Sequence, residues 1–128
     1  MDTKMRNLML TIIGVLAVVG ILFYFMWAQQ QSPGKLDEFA KCLAEKGAKF
    51  YGAFWCPHCQ SEKALFGNSA KYLPYIECST PDSNGQLQIC IDQKIAVYPT
   101  WRFADGISQE GELTLQELAD KTQCVLPN

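Results

Sequence analysis

Residues 48–60 read AKFYGAFWCPHCQ. The stretch AKFYGAF over 48–54 is apolar and aromatic, the pattern of a short buried strand. It runs directly into Trp55-Cys56-Pro57-His58-Cys59. A helix is expected from Pro57 to about Ala70, because proline in a first helical turn gives up only an N–H that has no partner there. A Cys-x-x-Cys between a strand and a helix is a redox signature. The two intervening residues let both sulfurs meet across one helical turn. Cys56 then sits at the helix N-terminus, where the macrodipole and free N–H groups favour a thiolate. The thiolate is the nucleophile of disulfide exchange, so Cys56 is expected to exchange with other thiols. Cys59, one turn further in and more buried, is expected to resolve the mixed disulfide.

His58 is the chain's single histidine. Between the cysteines it can place positive charge or a hydrogen bond near the Cys56 sulfur, stabilising the reduced form and making the disulfide a stronger oxidant. The alternative is an exposed polar residue in a turn. Trp55 is read either as a flat apolar platform beside the sulfur or as packing. Cys56, His58 and Cys59 are soft metal ligands, but three adjacent groups do not close a tetrahedral zinc site and a second Cys-x-x-Cys is absent. No metal or other cofactor is therefore expected.

Outward from this centre the chain alternates. Residues 35–46, KLDEFAKCLAEK, carry Leu36, Phe39, Ala40, Leu43 and Ala44 at helical spacing. Gly47 ends that helix. YLPYIEC at 72–78 reads as a strand, STPDSNG at 79–85 as a loop, and 86–94 as a short helix. After Pro99, TWRFAD reads as a strand, with Asp105-Gly106 a hairpin turn and 107–111 the return. Thr114 to Glu117 is a capping box opening a last helix to about Lys121. Strands separated by helices argue for a parallel pair, and the hairpin adds antiparallel strands. The expected class is α/β: a mixed four-stranded sheet with helices on both faces.

Residues 8–28, LMLTIIGVLAVVGILFYFMWA, carry no charge. At about 1.5 Å per residue this run spans about 31 Å, the hydrocarbon thickness of a bilayer. Lys4 and Arg6 precede it and the next basic residue is Lys35, which puts the N-terminus in the cytoplasm and the rest outside. Phe23, Tyr24, Phe25 and Trp27 fall at the far end, where aromatic rings favour the interface. A cleaved signal peptide is the alternative, but Met26-Trp27-Ala28 is a poor cleavage site. Both readings export the domain to a periplasmic or other extracytoplasmic space. The expected organisation is a cytoplasmic N-terminus at 1–7, a transmembrane anchor at 8–28, a linker at 29–34 and one domain at 35–128.

From Gln29 onward there are 9 Lys and Arg against 12 Asp and Glu, without a block of like charge, so nucleic-acid binding has no support. Six cysteines in 128 residues is a high count, and outside the cytosol it implies disulfides as well as redox use.

AKFYGAFWCPHCQ at 48–60 and AVYPTWRFADG at 96–106, with one strand and one helix between, resemble the thioredoxin family over about residues 36–122. FYGAFWCPHC, ALFGNSAKYLPYIEC and YPTW look most like the thioredoxin-like domain fused to or paired with bacterial vitamin K epoxide reductase homologues. The resemblance implies a cis proline at Pro99 facing the active disulfide. It also implies substrate contacts at Trp55, Pro57, Tyr98 and Thr100, with backbone groups of Tyr98 free to pair with a substrate chain. Pro57-His58 resembles the dipeptide of strongly oxidising periplasmic disulfide donors. The sequence departs from thioredoxins at Phe50, where they carry a buried Asp that helps the pair act as a reductant. It also lacks the large helical insertion of the periplasmic oxidase, so a shallow groove is expected.

A structural disulfide is expected between Cys78 and Cys90, and it resembles the extra pair of the epoxide-reductase-linked domains. Parity and compartment favour a Cys42–Cys124 pair. The first and last helices of this fold usually lie on opposite faces, so free thiols or a bond to another chain stay open.

The function expected is donation of disulfides from Cys56–Cys59 to exported proteins carrying thiols. A quinone-linked membrane partner, an epoxide reductase homologue or similar, would reoxidise the pair. The alternatives are a reductase or isomerase, such as one serving cytochrome c maturation, and a copper- or zinc-binding module.

Overall fold

The computed structural model describes residues 2–30 and 32–128. They form two compact units that divide after Ser32. The first is one helix, α1 (Thr3–Gln30). From Thr3 to Gln29 it is long and apolar enough to cross a membrane, which suits an anchor and a signal sequence alike.

The second unit runs from Pro33 to Asn128. Its elements are α2 (Asp37–Glu45), β1 (Lys49–Gly52), α3 (Pro57–Leu65), β2 (Tyr75–Glu77), α4 (Gln88–Asp92), β3 (Thr100–Arg102), β4 (Ser108–Glu110) and α5 (Leu115–Thr122). The strands form one mixed sheet in the order β2-β1-β3-β4. β1 pairs parallel with β2, Phe50 opposite Tyr75, and antiparallel with β3, Phe50 opposite Trp101. β3 and β4 form the expected antiparallel hairpin.

Successive strand side chains point to opposite faces. Phe50 and Trp101 enter the larger core with Phe39, Ala40 and Leu43 of α2 and Leu118 and Ala119 of α5. The Phe50 and Trp101 rings stack at 4.8 Å. Tyr51 enters the opposite core with Cys78, Ile95 and Cys90 of α4. Helices thus cover both faces of the sheet.

Three ends carry identifiable stops. α5 opens on the expected capping box: Glu117 N–H donates to Thr114 Oγ1 at 3.2 Å, and Thr114 N–H donates to Glu117 Oε2 at 2.8 Å. Gln123 follows α5 in the left-handed conformation and reverses the chain. α3 is shorter than its sequence suggests, ending at Leu65 instead of near Ala70. Gly67 has φ +51°, incompatible with a continuing right-handed helix, and the chain tightens into a 3₁₀ segment over Gly67–Tyr72.

Two disulfides tie the domain. Cys42 in α2 is bonded to Cys124 beyond α5, and Cys78 after β2 to Cys90 in α4. α2 and α5 feed the same core cluster, so the turn at Gln123 needs to carry Cys124 back only a short way.

Candidate active site

Cys56 is the N-cap of α3, with extended backbone and Pro57 first in the helix. Cys56 and Cys59 are free thiols in this structure. Both are buried, but Cys56 at 6% exposed is less completely covered than Cys59 at 1%, which makes it the residue of the pair nearer the surface. Burial pushes the Cys59 thiol well up from its ordinary value, its hydrogen bond with Cys56 adding to the effect. Cys59 therefore rests as a neutral thiol.

The Tyr98–Pro99 peptide is cis. Pro99 is fully buried, and the Tyr98 carbonyl accepts from Cys56 Sγ at 3.7 Å. The loop before β3 is thus set against the active pair. A parallel β1–β2 pair, an antiparallel β3–β4 hairpin, Cys-x-x-Cys at a helix start and a cis proline facing it define the architecture.

The fold is thioredoxin-like.

Known proteins agree with that assignment. The chain is 46% identical over 88 residues to the thiol-disulfide oxidoreductase LTO1 of Arabidopsis thaliana, covering 65% of this chain and 23% of that protein. It is 35% identical over 104 residues to a thioredoxin domain-containing protein 5 homolog of Drosophila melanogaster, covering 70% of this chain and 24% of that protein. These likenesses support a thioredoxin-like family. The chain spans about a quarter of the length of the curated relatives it matches. No protein-family model matches it.

Within the thioredoxin-like site, the residues singled out from sequence divide. Trp55 is half-exposed, and its indole N–H donates to Ser79 Oγ at 2.8 Å while the ring meets Tyr98 edge to face. It is both a surface and a fixed part of the loop. Pro57 is exposed beside it. Thr100 differs from expectation. It is buried, and its hydroxyl donates to the Val97 carbonyl at 2.7 Å, so it shapes the proline loop rather than facing a substrate.

His58 also differs. Its Nδ1 pairs with Glu112 Oε1 at 2.6 Å, and both side chains are exposed. Among the described residues no hydrogen bond joins it to either sulfur. The ring thus has a carboxylate partner from a distant segment, which the sequence did not indicate.

Glu62 was not singled out from sequence. It is fully buried; Oε1 accepts from Trp101 Nε1 at 3.0 Å and Oε2 from the Leu113 N–H at 2.9 Å. It joins α3 to β3 and to the segment carrying Glu112. Phe50 does replace the thioredoxin Asp, yet a buried carboxyl is present from another element. The signal was available: Cys59, Glu62 and Phe66 fall at i, i+3 and i+7 of one helix, so the face that buries Cys59 buries Glu62.

Burial raises the Glu62 carboxyl from 4.5 to about 7, against the opposing pull of its two N–H donors. A folded-state value above the unfolded one means that stability is present in full below the unfolded value. It is lost as pH rises through the folded one. The unfolding free energy is expected to fall by about 3 kcal/mol from about pH 4.5 to about pH 8. Guanidinium unfolding followed by tryptophan fluorescence across this range checks it. Glu62→Gln, which cannot ionise, should flatten the profile, whereas a persisting slope would assign it to another group.

Proposed function

We propose that the protein is a membrane-anchored, extracytoplasmic thiol–disulfide oxidoreductase that donates the Cys56–Cys59 disulfide to exported proteins as they fold. The observation that carries this reading is the placement of Cys56. It begins α3, it is the less buried sulfur, and it lies 3.7 Å from the carbonyl of the residue before a cis proline. The likeness to the Arabidopsis thiol-disulfide oxidoreductase supports it. Exposed Phe54, Trp55 and Val97 beside the pair suit an unfolded, apolar substrate chain.

In the donor direction a substrate thiolate attacks the Cys56 sulfur. The Cys56–Cys59 bond breaks, a bond between substrate and Cys56 forms, and Cys59 leaves with the electron pair and takes a proton. A second substrate thiolate attacks the substrate sulfur of that bond, and Cys56 leaves as thiolate. The substrate loses two electrons and gains a disulfide. A quinone-linked membrane partner then withdraws the two electrons. The resemblance to domains paired with vitamin K epoxide reductase homologues favours such an enzyme as that partner. An anchor in the same bilayer raises the effective concentration of one for the other.

The test is the reduction potential of Cys56–Cys59 in the full chain in detergent, by equilibration with glutathione. A value between about −120 and −200 mV is expected of a donor. A value near the thioredoxin figure of about −270 mV would overturn donation and favour a reductase.

A further inference from the structure

The buried partner Cys59 faces a chemical difficulty. In either direction of exchange its sulfur passes through a thiolate, yet burial disfavours that charge. Two groups near Cys59 favour the charge: the Ala53 backbone N–H, which hydrogen-bonds the sulfur, and the Lys63 ammonium, the one side chain of the two.

Gly52 of β1 leaves room beside the sulfur. A Cβ at that position would stand 2.8 Å from Cys59 Sγ and 2.9 Å from Tyr75 Cε2, so the sulfur and the Tyr75 ring edge are neighbours across β1. Over the Tyr75 ring lies the Lys63 ammonium, 3.2 Å from its centroid. Lys63 is four residues after Cys59 in α3 and therefore on the same face. The ring is itself held, because Tyr75 donates its hydroxyl to Glu77 Oε2 at 2.8 Å. Glu77 Oε1 accepts from the N–H groups of Phe54 and Ser79 at 3.2 and 2.9 Å. The carboxylate thus ties β2 to the active-site loop, and through Tyr75 it sets where the lysine rests.

The titratable groups that face Cys59 are Cys56 at the start of α3, Lys63 in α3 and Tyr75 in β2, with Glu77 behind Tyr75. Burial and the Glu77 hydrogen bond keep Tyr75 a neutral phenol. Among these groups Lys63 alone carries positive charge.

We propose that Lys63, held over Tyr75 by the Tyr75–Glu77 pair, is a positioning residue that acts through Cys59 by stabilising its thiolate during disulfide exchange. This rests on the oxidoreductase reading above and deepens it. In the resolving step the Cys59 thiolate attacks Cys56 Sγ of a mixed disulfide. The Cys56–Cys59 bond forms, the bond to the other molecule breaks, and that molecule departs as a thiolate. The proton lost by Cys59 goes to solvent, and Lys63 keeps its own near neutral pH, although burial lowers the lysine from its ordinary value. In the reverse direction the same ammonium stabilises Cys59 as leaving group. Because Cys59 rests as a neutral thiol, Lys63 acts on the transient thiolate and leaves the equilibrium potential near neutral pH nearly unchanged.

The reduced full chain in detergent is mixed with excess oxidised glutathione, acid-quenched at intervals, and its Cys56–glutathione adduct quantified by mass spectrometry from pH 6 to 10. Lys63→Met should raise the apparent pKa of the resolving step by about one unit, a tenfold loss of thiolate at fixed pH. A more basic thiolate is also more nucleophilic, with a Brønsted slope of about 0.5, so the net slowing at pH 7 is about threefold. Lys63→Arg should restore the wild-type profile. If Lys63→Met does not fold, Lys63→Gln takes its place. An unchanged profile in the uncharged variant, or equal slowing in Lys63→Arg, overturns the proposal while leaving the oxidoreductase reading intact. A wild-type chain that forms no adduct and no Cys56–Cys59 disulfide would instead overturn the reading on which the proposal rests.

Discussion

Cells expressing Cys59→Ala are expected to accumulate mixed disulfides on Cys56, visible as dithiothreitol-sensitive adducts on non-reducing gels. The reason is the difference between the two sulfurs. Cys56 caps the helix and is the less buried of the two, whereas Cys59 is fully buried one turn further in. An exchange begun at Cys56 is normally closed by Cys59, an attack within one molecule between groups already in place. Effective molarities for oriented intramolecular reactions reach about 10⁵ M and above, so millimolar external thiols replace Cys59 poorly. The adducts should outlive those of the wild type by on the order of 100-fold or more. Cys56→Ala, with the less buried sulfur gone, should form none. Mass spectrometry of the trapped species would show whether they contain exported proteins, a membrane partner or both. If Cys59→Ala yields no adducts, Cys56 is not the attacking sulfur and the proposed cycle fails at its first step.

The second large effect concerns stability. Cys42 and Cys124 are 82 residues apart, so their bond closes nearly the whole domain, whereas Cys78–Cys90 closes a span of 12. Loop-closure entropy makes the longer bridge worth about 4 kcal/mol and the shorter about 3 kcal/mol. Replacing Cys42 and Cys124 together by alanine should lower the unfolding free energy by about 4 kcal/mol, read from guanidinium unfolding of the oxidised protein. That is a large share of the 5–15 kcal/mol or so typical of a domain. The variant should still exchange disulfides at low temperature, because both cysteines lie outside the Cys56–Pro99 contact. A loss below about 1 kcal/mol would mean that the core of Phe39, Leu43, Trp101 and Leu118 holds the termini without the bridge.

The sequence by itself determined the element order, the mixed sheet and the location of the reactive pair. Each rests on short-range chemistry: the apolar and aromatic run AKFYGAF, the capping box from Thr114, the turn at Asp105-Gly106, and two cysteines one helical turn apart. Gly67 is also local, and its left-handed backbone makes α3 shorter than helical spacing alone suggests. Tertiary structure alone decided which distant side chains meet. The closure of Cys42 on Cys124 depends on α2 and α5 sharing a core and on the reversal at Gln123. The pairing of His58 with Glu112, 54 positions away, is one such meeting. The inward turn of Thr100 follows from the loop it serves. Glu62 could be placed on the face of Cys59 by helical spacing, but its two donors come from β3 and from Leu113, 39 and 51 residues further on. Lys63 lies over a tyrosine from a neighbouring strand, whose ring edge borders the space that Gly52 leaves beside Cys59. Periodicity records which way a side chain points, but what it meets there is set by segments far away in the chain.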